Sequence, residues 1–200
     1  MKKTYIIAEI GINHNGSLEN AKKLIDVAVL AGCDAVKFQK RNPDVCVPEH
    51  QKSVMRETPW GTMTYLDYKY KVEFEKEEYD EIDKYCKEKG IAWSASPWDL
   101  DSLEFLDQYD LPFLKMPSAM MTNEPLMRAA AKTGKKVIFS AGMSTLKETD
   151  MAVVWMQEEG AEFALLHCNS AYPAPIEDLN LSCIQTLKNR YNCEVGYSGH

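Results

Sequence analysis

Short apolar, β-rich runs alternate along the chain with stretches whose apolar residues recur every three or four positions. The runs are Tyr5–Ile10, Ala35–Gln39, Ile91–Ala95, Phe113–Met116, Lys136–Ser140, Phe163–His167 and Glu194–Ser198. The clearest helical stretch between them is "SLENAKKLIDVAVLAG", with Ser17 as its cap and Gly32 as its stop. "EKEEYDEIDKYCKEKG", "DLDSLEFLDQY", "TNEPLMRAAAKTG", "STLKETDMAVVWMQEEG" and "DLNLSCIQTLKNRY" follow the same pattern. Thr122 or Asn123 and Ser144 suit two of the starts; Gly90, Gly134 and Gly160 suit the ends. Regular β–α alternation with short turns predicts a parallel sheet with right-handed crossovers.

Polar side chains interrupt the apolar runs, and they do so at the strand ends. Glu9, Lys37 and Gln39, Ser94 and Ser96, Lys115 and Ser118, Ser140, His167 and Asn169, then Ser198 and His200 all fall there. A barrel gathers every strand C-terminus onto one face, whereas an open doubly wound sheet concentrates its site at a switch point. The even spread favours a (β/α)8 TIM barrel, here with about seven strands and the end of the barrel missing. One segment breaks the rhythm: Lys40–Phe74, rich in aromatics, prolines and charge, is a long insertion after the second strand. It reads either as a lid over the strand ends or as a surface excursion or oligomer contact.

Composition narrows the chemistry. The 200 residues are 45% apolar and 26% charged, with a formal charge of −7. That is a globular composition, and its acidity argues against a nucleic-acid partner. No apolar stretch is long enough to span a membrane. Six scattered cysteines without a C-x-x-C pair or secretion signal read as reduced thiols, hence a cytoplasmic location. No G-x-G-x-x-G or Walker sequence is present.

Lys37 and Lys115 interrupt apolar strands, where a charge is costly to bury without a partner. With serines beside each, they suggest a pocket for carboxylate or phosphate; either alone could instead snorkel outward. "PSA" and "SAGMS" add hydroxyl and amide donors, the latter at the start of a helix. Glu9 could be a base, an acceptor for substrate hydroxyls or an ion-pair partner of Lys37. His14, His167 and His200 are candidate metal ligands or acid–base groups, although a lone strand histidine such as His167 is more often a core residue. Cys168 lacks any spacing that supports a Cys/His dyad.

In order and spacing, "IAEIGINHNGSLENAKKLIDVAVLAGCDAVKFQ", "KMPSA", "TNEPL", "IFSAGMST", "LLHCNSAYPAPIEDLNL" and "VGYSGH" resemble the sialic acid synthase family, N-acetylneuraminate synthases and related nonulosonate synthases. The resemblance implies a transferase that condenses phosphoenolpyruvate with N-acetylmannosamine or its 6-phosphate, giving sialic acid and inorganic phosphate. A legionaminic-type acceptor is the near alternative; a Schiff-base aldolase and an inactive binding fragment are the distant ones. It implies a divalent metal, commonly Mn2+ with Mg2+ or Co2+ possible, and a homodimer. Phosphoenolpyruvate contacts fall on Lys37, Ser96, Lys115, Ser118, Ser140, Ser170 and Ser198. Catalytic roles fall on Glu9, Lys37, Lys115 and Tyr172, and a metal ligand on His200. The chain departs from the family at Pro117-Ser118-Ala119-Met120, where an acid is replaced by Met120, and at Ser170, which aligns with an asparagine of some members. The resemblance also implies an eighth strand and a C-terminal antifreeze-like domain beyond His200, so residues 1–200 read as an incomplete barrel.

Overall fold

The computed structural model describes residues 3–200, which fall into two units, Met1–Leu111 and Pro112–His200. In the first unit β1 (Ile7–Gly11) leads into α1 (Leu18–Leu30) and β2 (Ala35–Lys40). Then come α2 (Pro43–Cys46), α3 (Glu49–Lys52), the hairpin β3 (Met55–Thr58) and β4 (Gly61–Thr64), and α4 (Tyr65–Val72). The unit closes with α5 (Lys76–Lys89), β5 (Ala92–Pro97) and α6 (Leu100–Asp107). Its main sheet is parallel, in the order β1-β2-β5.

The second unit runs β6 (Phe113–Met116), α7 (Glu124–Lys132), β7 (Lys136–Ser140), α8 (Leu146–Glu158), β8 (Phe163–Cys168), α9 (Cys183–Tyr191) and β9 (Glu194–Ser198). Its four strands pair in parallel in sequence order. Each crossover thus carries a helix, as the alternation of periodicities requires. Parallel pairing and the α/β class agree with the expectation from sequence.

Local chemistry explains most of the boundaries. The Ser17 side chain accepts from the Asn20 N–H at the start of α1, and Gly32 takes the left-handed φ of +74° just past its end. Asn123, not Thr122, caps α7. At α8 the expected Ser144 cap is corrected to Thr145, because Thr145 and Glu148 form a reciprocal capping box while the Ser144 hydroxyl donates to the Gly142 carbonyl. The first strand starts two residues later than Tyr5, since the Ile6 N–H is taken by the Asp34 carboxylate.

Each unit has its own core. Phe38, Ile25, Tyr79, Ile82 and Leu106 are fully buried in the first; Leu114, Met116, Leu126, Phe139 and Met156 in the second. Burying a side chain of this size is worth about 1.5–3 kcal/mol. The insertion is not a structureless loop but three short helices and a hairpin. It docks on the polar corner after β1: the His14 ring stacks on Phe74 with centroids 4.0 Å apart. A Cβ on Gly16, whose φ is +66°, would lie 2.2 Å from the Lys71 carbonyl oxygen, so only glycine allows this approach. Among the described residues no helix is long and apolar enough to cross a membrane.

Candidate functional site

In the first unit, parallel pairing sets Glu9 beside Lys37 and Lys37 beside Ser94. The Lys37 side chain leans toward the strand ends and donates to the Ser96 hydroxyl at 2.7 Å. Its other partner is the Glu9 carboxylate at 2.9 Å. Lys37 is 4% exposed, whereas half of the Glu9 side chain meets solvent. The ion-pair reading of Glu9 therefore holds, and its carboxylate is not buried. Burial lowers the Lys37 pKa, with the Glu9 charge opposing and Arg41 reinforcing the shift.

Next to this pair lies a cluster that sequence reasoning missed. A Cβ on Gly11 would meet the Glu9 carboxylate at 2.8 Å and the Gln39 amide nitrogen at 3.2 Å, so both side chains crowd this turn. The Gln39 amide oxygen accepts from the Arg41 guanidinium. Arg41 is buried over the Trp98 ring, 4.5 Å from its centroid. Its Nε lies 3.0 Å from Glu73 Oε1, a close charge pair without hydrogen-bond alignment, while its backbone N–H donates to Glu73 Oε2 at 3.2 Å. Burial pushes the Glu73 carboxyl up to about 7 against the pull of Arg41. Arg41 and Glu73 come from opposite ends of the insertion, and no short-range spacing could have paired them.

The second unit repeats the lysine–serine contact. Lys115 pairs with Ile138 across the sheet, and its amine donates to the Ser140 hydroxyl, two residues further on, at 2.7 Å, and to the Met116 carbonyl at 3.1 Å. Beyond the strand ends, the Ser118 hydroxyl accepts from the Gly142 N–H at 3.1 Å. A Cβ at Gly142 would fall 2.4 Å from Ser170 Oγ, 2.8 Å from Ser118 Oγ and 3.0 Å from Cys168 Sγ. Gly142 is thus the floor on which these three side chains meet, a role its place in "SAGMS" did not announce.

His200 Nε2 lies 3.0 Å from the Tyr172 hydroxyl and 3.5 Å from Cys168 Sγ, and the Tyr172 and His200 rings stack. The backbone helps hold this arrangement, because the Ala174 N–H donates to the His200 carbonyl. Spacing along the chain gave no sign of the Cys168–His200 proximity: β8 and β9 are neighbours, so 32 residues of separation close to a contact. Ser198 sits opposite Cys168 in register.

Two histidines leave the list of reactive groups. His14 is buried, and its Nδ1 accepts from the Gly16 N–H at 3.1 Å. Burial lowers its pKa to about 4, so it is a neutral fastening of the insertion. His167 Nε2 bonds the Leu179 carbonyl at 2.8 Å. Among the described residues no group of three or more His, Cys, Asp or Glu side chains is arranged to hold a metal ion.

This is a parallel α/β protein with basic, hydroxyl-rich strand ends. The sequence profile of the NeuB family matches residues 24–200, and the chain belongs to that family. It is 38% identical over its whole length to the N,N'-diacetyllegionaminic acid synthase of Campylobacter jejuni, of which it covers 61%. It is 40% identical, over 98% of its length, to the N-acetylneuraminate-9-phosphate synthase of Drosophila melanogaster, of which it covers 54%. The chain therefore spans little more than half the length of these relatives. Among solved structures it is similar to an N-acetylneuraminic acid synthetase from Leptospira borgpetersenii in complex with citrate. The TM-score there is 0.90 at 35% identity, covering all of this chain and 66% of that one.

Proposed function

We propose that the chain is the N-terminal part of a synthase that condenses phosphoenolpyruvate with an N-acylhexosamine, N-acetylmannosamine or its 6-phosphate, releasing phosphate. The observation that carries this reading is the repeated lysine–serine contact, 2.7 Å in both units. Each ammonium offers positive charge to an anionic group in a water-poor setting, where such charge is most effective. Each serine oxygen accepts a hydrogen bond from its lysine, and so the hydroxyl keeps its own O–H to donate to the ligand. Phosphoenolpyruvate is an anion of the kind such a lysine–serine pair would hold. Its C3 would attack the sugar aldehyde, water would add at C2, and phosphate would leave with C–O cleavage.

In this reading an incoming anion takes the place of Glu9 at Lys37, and the released carboxylate orients a sugar hydroxyl or the attacking water. Ser118, Ser170 and Ser198 serve as further donors, and Tyr172, 75% exposed, as a sugar-side phenol. Divalent-metal dependence, with His200 as one ligand, is part of the proposal. Cys168 Sγ and the Tyr172 hydroxyl lie beside His200 Nε2, and this thiol and phenol do not by themselves close a coordination sphere for manganese. The eight-stranded barrel, the antifreeze-like domain and the homodimer complete the reading for the whole protein, supported by the parallel pairing and the kinship. Six free cysteines support a reducing, cytoplasmic setting.

The test is phosphate release from phosphoenolpyruvate by the full-length protein, dependent on both N-acetylmannosamine and manganese. No release with any N-acylhexosamine overturns the proposal. The lowered Lys37 pKa favours one other reading, a Schiff-base aldolase. Borohydride trapping of a pyruvate adduct on Lys37 would establish that alternative.

A further inference from the structure

The two ends of the insertion meet on one side chain, Arg41, and Arg41 holds an amide at the end of β2. That amide belongs to Gln39, two positions beyond Lys37 on the same face of the strand and opposite Ser96 across the parallel pair. The Tyr79 hydroxyl fixes the Gln39 backbone by donating to its carbonyl at 2.7 Å. The side-chain oxygen of Gln39 accepts from the Arg41 guanidinium. A guanidinium carries donors and no acceptor, so it can bond only the oxygen end of a carboxamide. The bond therefore settles which way the amide is turned. Its nitrogen goes to the Gly11 turn, where it and the Glu9 carboxylate border the place a Cβ would take. The opposite orientation would set an acceptor beside the carboxylate. Glu9 is a weak guide by itself, since half of its side chain meets solvent and Lys37 engages its Oε2.

Arg41 is itself firmly held. Its guanidinium lies over the Trp98 ring, 4.5 Å from the centroid, and its Nε is 3.0 Å from Glu73 Oε1. The backbone around it is tied at three successive residues. The Lys40 carbonyl accepts from the Trp98 N–H at 3.1 Å, the Arg41 N–H donates to Glu73 Oε2 at 3.2 Å, and the Asn42 N–H donates to Asp99 at 2.7 Å. A planar guanidinium stacked in place loses little freedom on making one more bond. Too buried to be offered to a ligand, Arg41 acts through Gln39.

We infer that Arg41 is a positioning residue, which fixes the Gln39 carboxamide with its N–H groups turned toward Glu9. The strand end then presents a fixed donor beside the acid, and the far end of the insertion, through Glu73, supports that arrangement. The orientation stands on this geometry; that the donor serves the acceptor sugar rests on the synthase reading.

The experiment reads the Gln39 side-chain amide by nuclear magnetic relaxation of its nitrogen in the full-length protein, its signals assigned by their loss in Gln39→Met. In wild type the order parameter should match rigid backbone at about 0.85, and in Arg41→Met it should fall below about 0.6 while the β2 backbone amides keep theirs. Arg41→Met leaves the Glu73 carboxylate buried without its counter-charge, so the double variant with Glu73→Gln guards against misfolding. That double variant should free the amide too, whereas Glu73→Gln alone should leave it ordered. An amide equally ordered with and without Arg41, or mobile in wild type, overturns the inference. In phosphate-release assays Arg41→Met and Gln39→Met should each lower kcat/KM for N-acetylmannosamine about tenfold, with KM for phosphoenolpyruvate within about twofold of wild type. Combining them should cost no more than about twofold beyond Gln39→Met, because no amide is left to orient. Losses that multiply make Arg41 structural and overturn its positioning role. Should wild type release no phosphate with any N-acylhexosamine while the amide's order depends on Arg41, the synthase reading falls and the positioning stands. Turnover with an amide indifferent to Arg41 has the opposite meaning.

Discussion

The two units place the same chemical device on different supports. In each, a strand lysine faces one residue across a parallel pair and bonds the serine two positions further along: Lys37 faces Ser94 and bonds Ser96, and Lys115 faces Ile138 and bonds Ser140. The period-2 pleat makes this offset a same-face step toward the strand ends. The surroundings differ. Lys37 is on a central strand and shares its charge with Glu9 from β1, and the Lys115 amine donates to the Met116 carbonyl as well as to Ser140. A ligand at Lys37 must therefore compete with a resident carboxylate, and the competition ties anion binding to the release of Glu9.

The largest expected effects come from deleting the cations. Lys37→Met and Lys115→Met should each lower kcat/KM for phosphoenolpyruvate about 100- to 1,000-fold, or about 3–4 kcal/mol, in steady-state assays of the full-length protein. Neither should lower the melting temperature much, because a buried ammonium adds little net stability. The comparison is sharpened by Glu9→Gln, which removes the competitor: KM for phosphoenolpyruvate should fall while kcat also falls. A Glu9→Gln protein with unchanged KM would mean that Glu9 and the ligand do not share Lys37.

A second difference lies in what covers the strand ends. The first unit carries the insertion, fastened by the His14–Phe74 stack, the Gly16–Lys71 approach and Lys40, whose amine donates to the Phe74 carbonyl at 2.6 Å. His14 is held neutral, with its pKa lowered from 6.5 to about 4. A histidine depressed in the fold contributes stability that is complete above the unfolded value and lost as pH falls through the folded one. About 3 kcal/mol should therefore disappear between pH 6.5 and pH 4. Hydrogen exchange should show protection failing first in residues 13–17 and 65–74, with β6–β9 unaffected at the same pH. His14→Gln should flatten this pH dependence of melting; a slope that persists in the variant would assign the acid sensitivity to other groups.

The regular parts of both units were legible in the sequence because they rest on local rules. Strand periodicity, the Ser17 cap and the left-handed glycines at 32, 90, 134 and 160 each act within a few residues. Lys37 and Lys115 were legible for a related reason: a charge inside an apolar run is conspicuous in one dimension. The insertion was not, since its helices are short and its hold on the fold depends on Arg41 meeting Glu73 and His14 meeting Phe74 across long separations. Lys69 looked like one charge among many in "LDYKYKVEF", and only its burial against two tyrosines sets it apart. The Cys168–His200 contact is not legible, because spacing along the chain says nothing about adjacent parallel strands. Ser144 lost its cap to Thr145 by one position, where two adjacent hydroxyl residues compete and the better partner, Glu148, decides.

The smallest expected effects test whether the two lysine–serine pairs are equivalent. Ser96 and Ser140 are both fully buried and each accepts from an ammonium at 2.7 Å. Serine-to-alanine substitution removes one oxygen and leaves almost no cavity, so the loss is that of a single charged hydrogen bond. Each variant should lose about 1–2 kcal/mol in urea unfolding. Each should also raise KM for phosphoenolpyruvate about fivefold, since the O–H that would donate to the anion is gone. Equal losses would support a register-matched pair used alike in both units. Losses differing by more than about 1 kcal/mol would break the equivalence, and the unit losing more would be the one whose lysine depends more on its serine than on its other contacts.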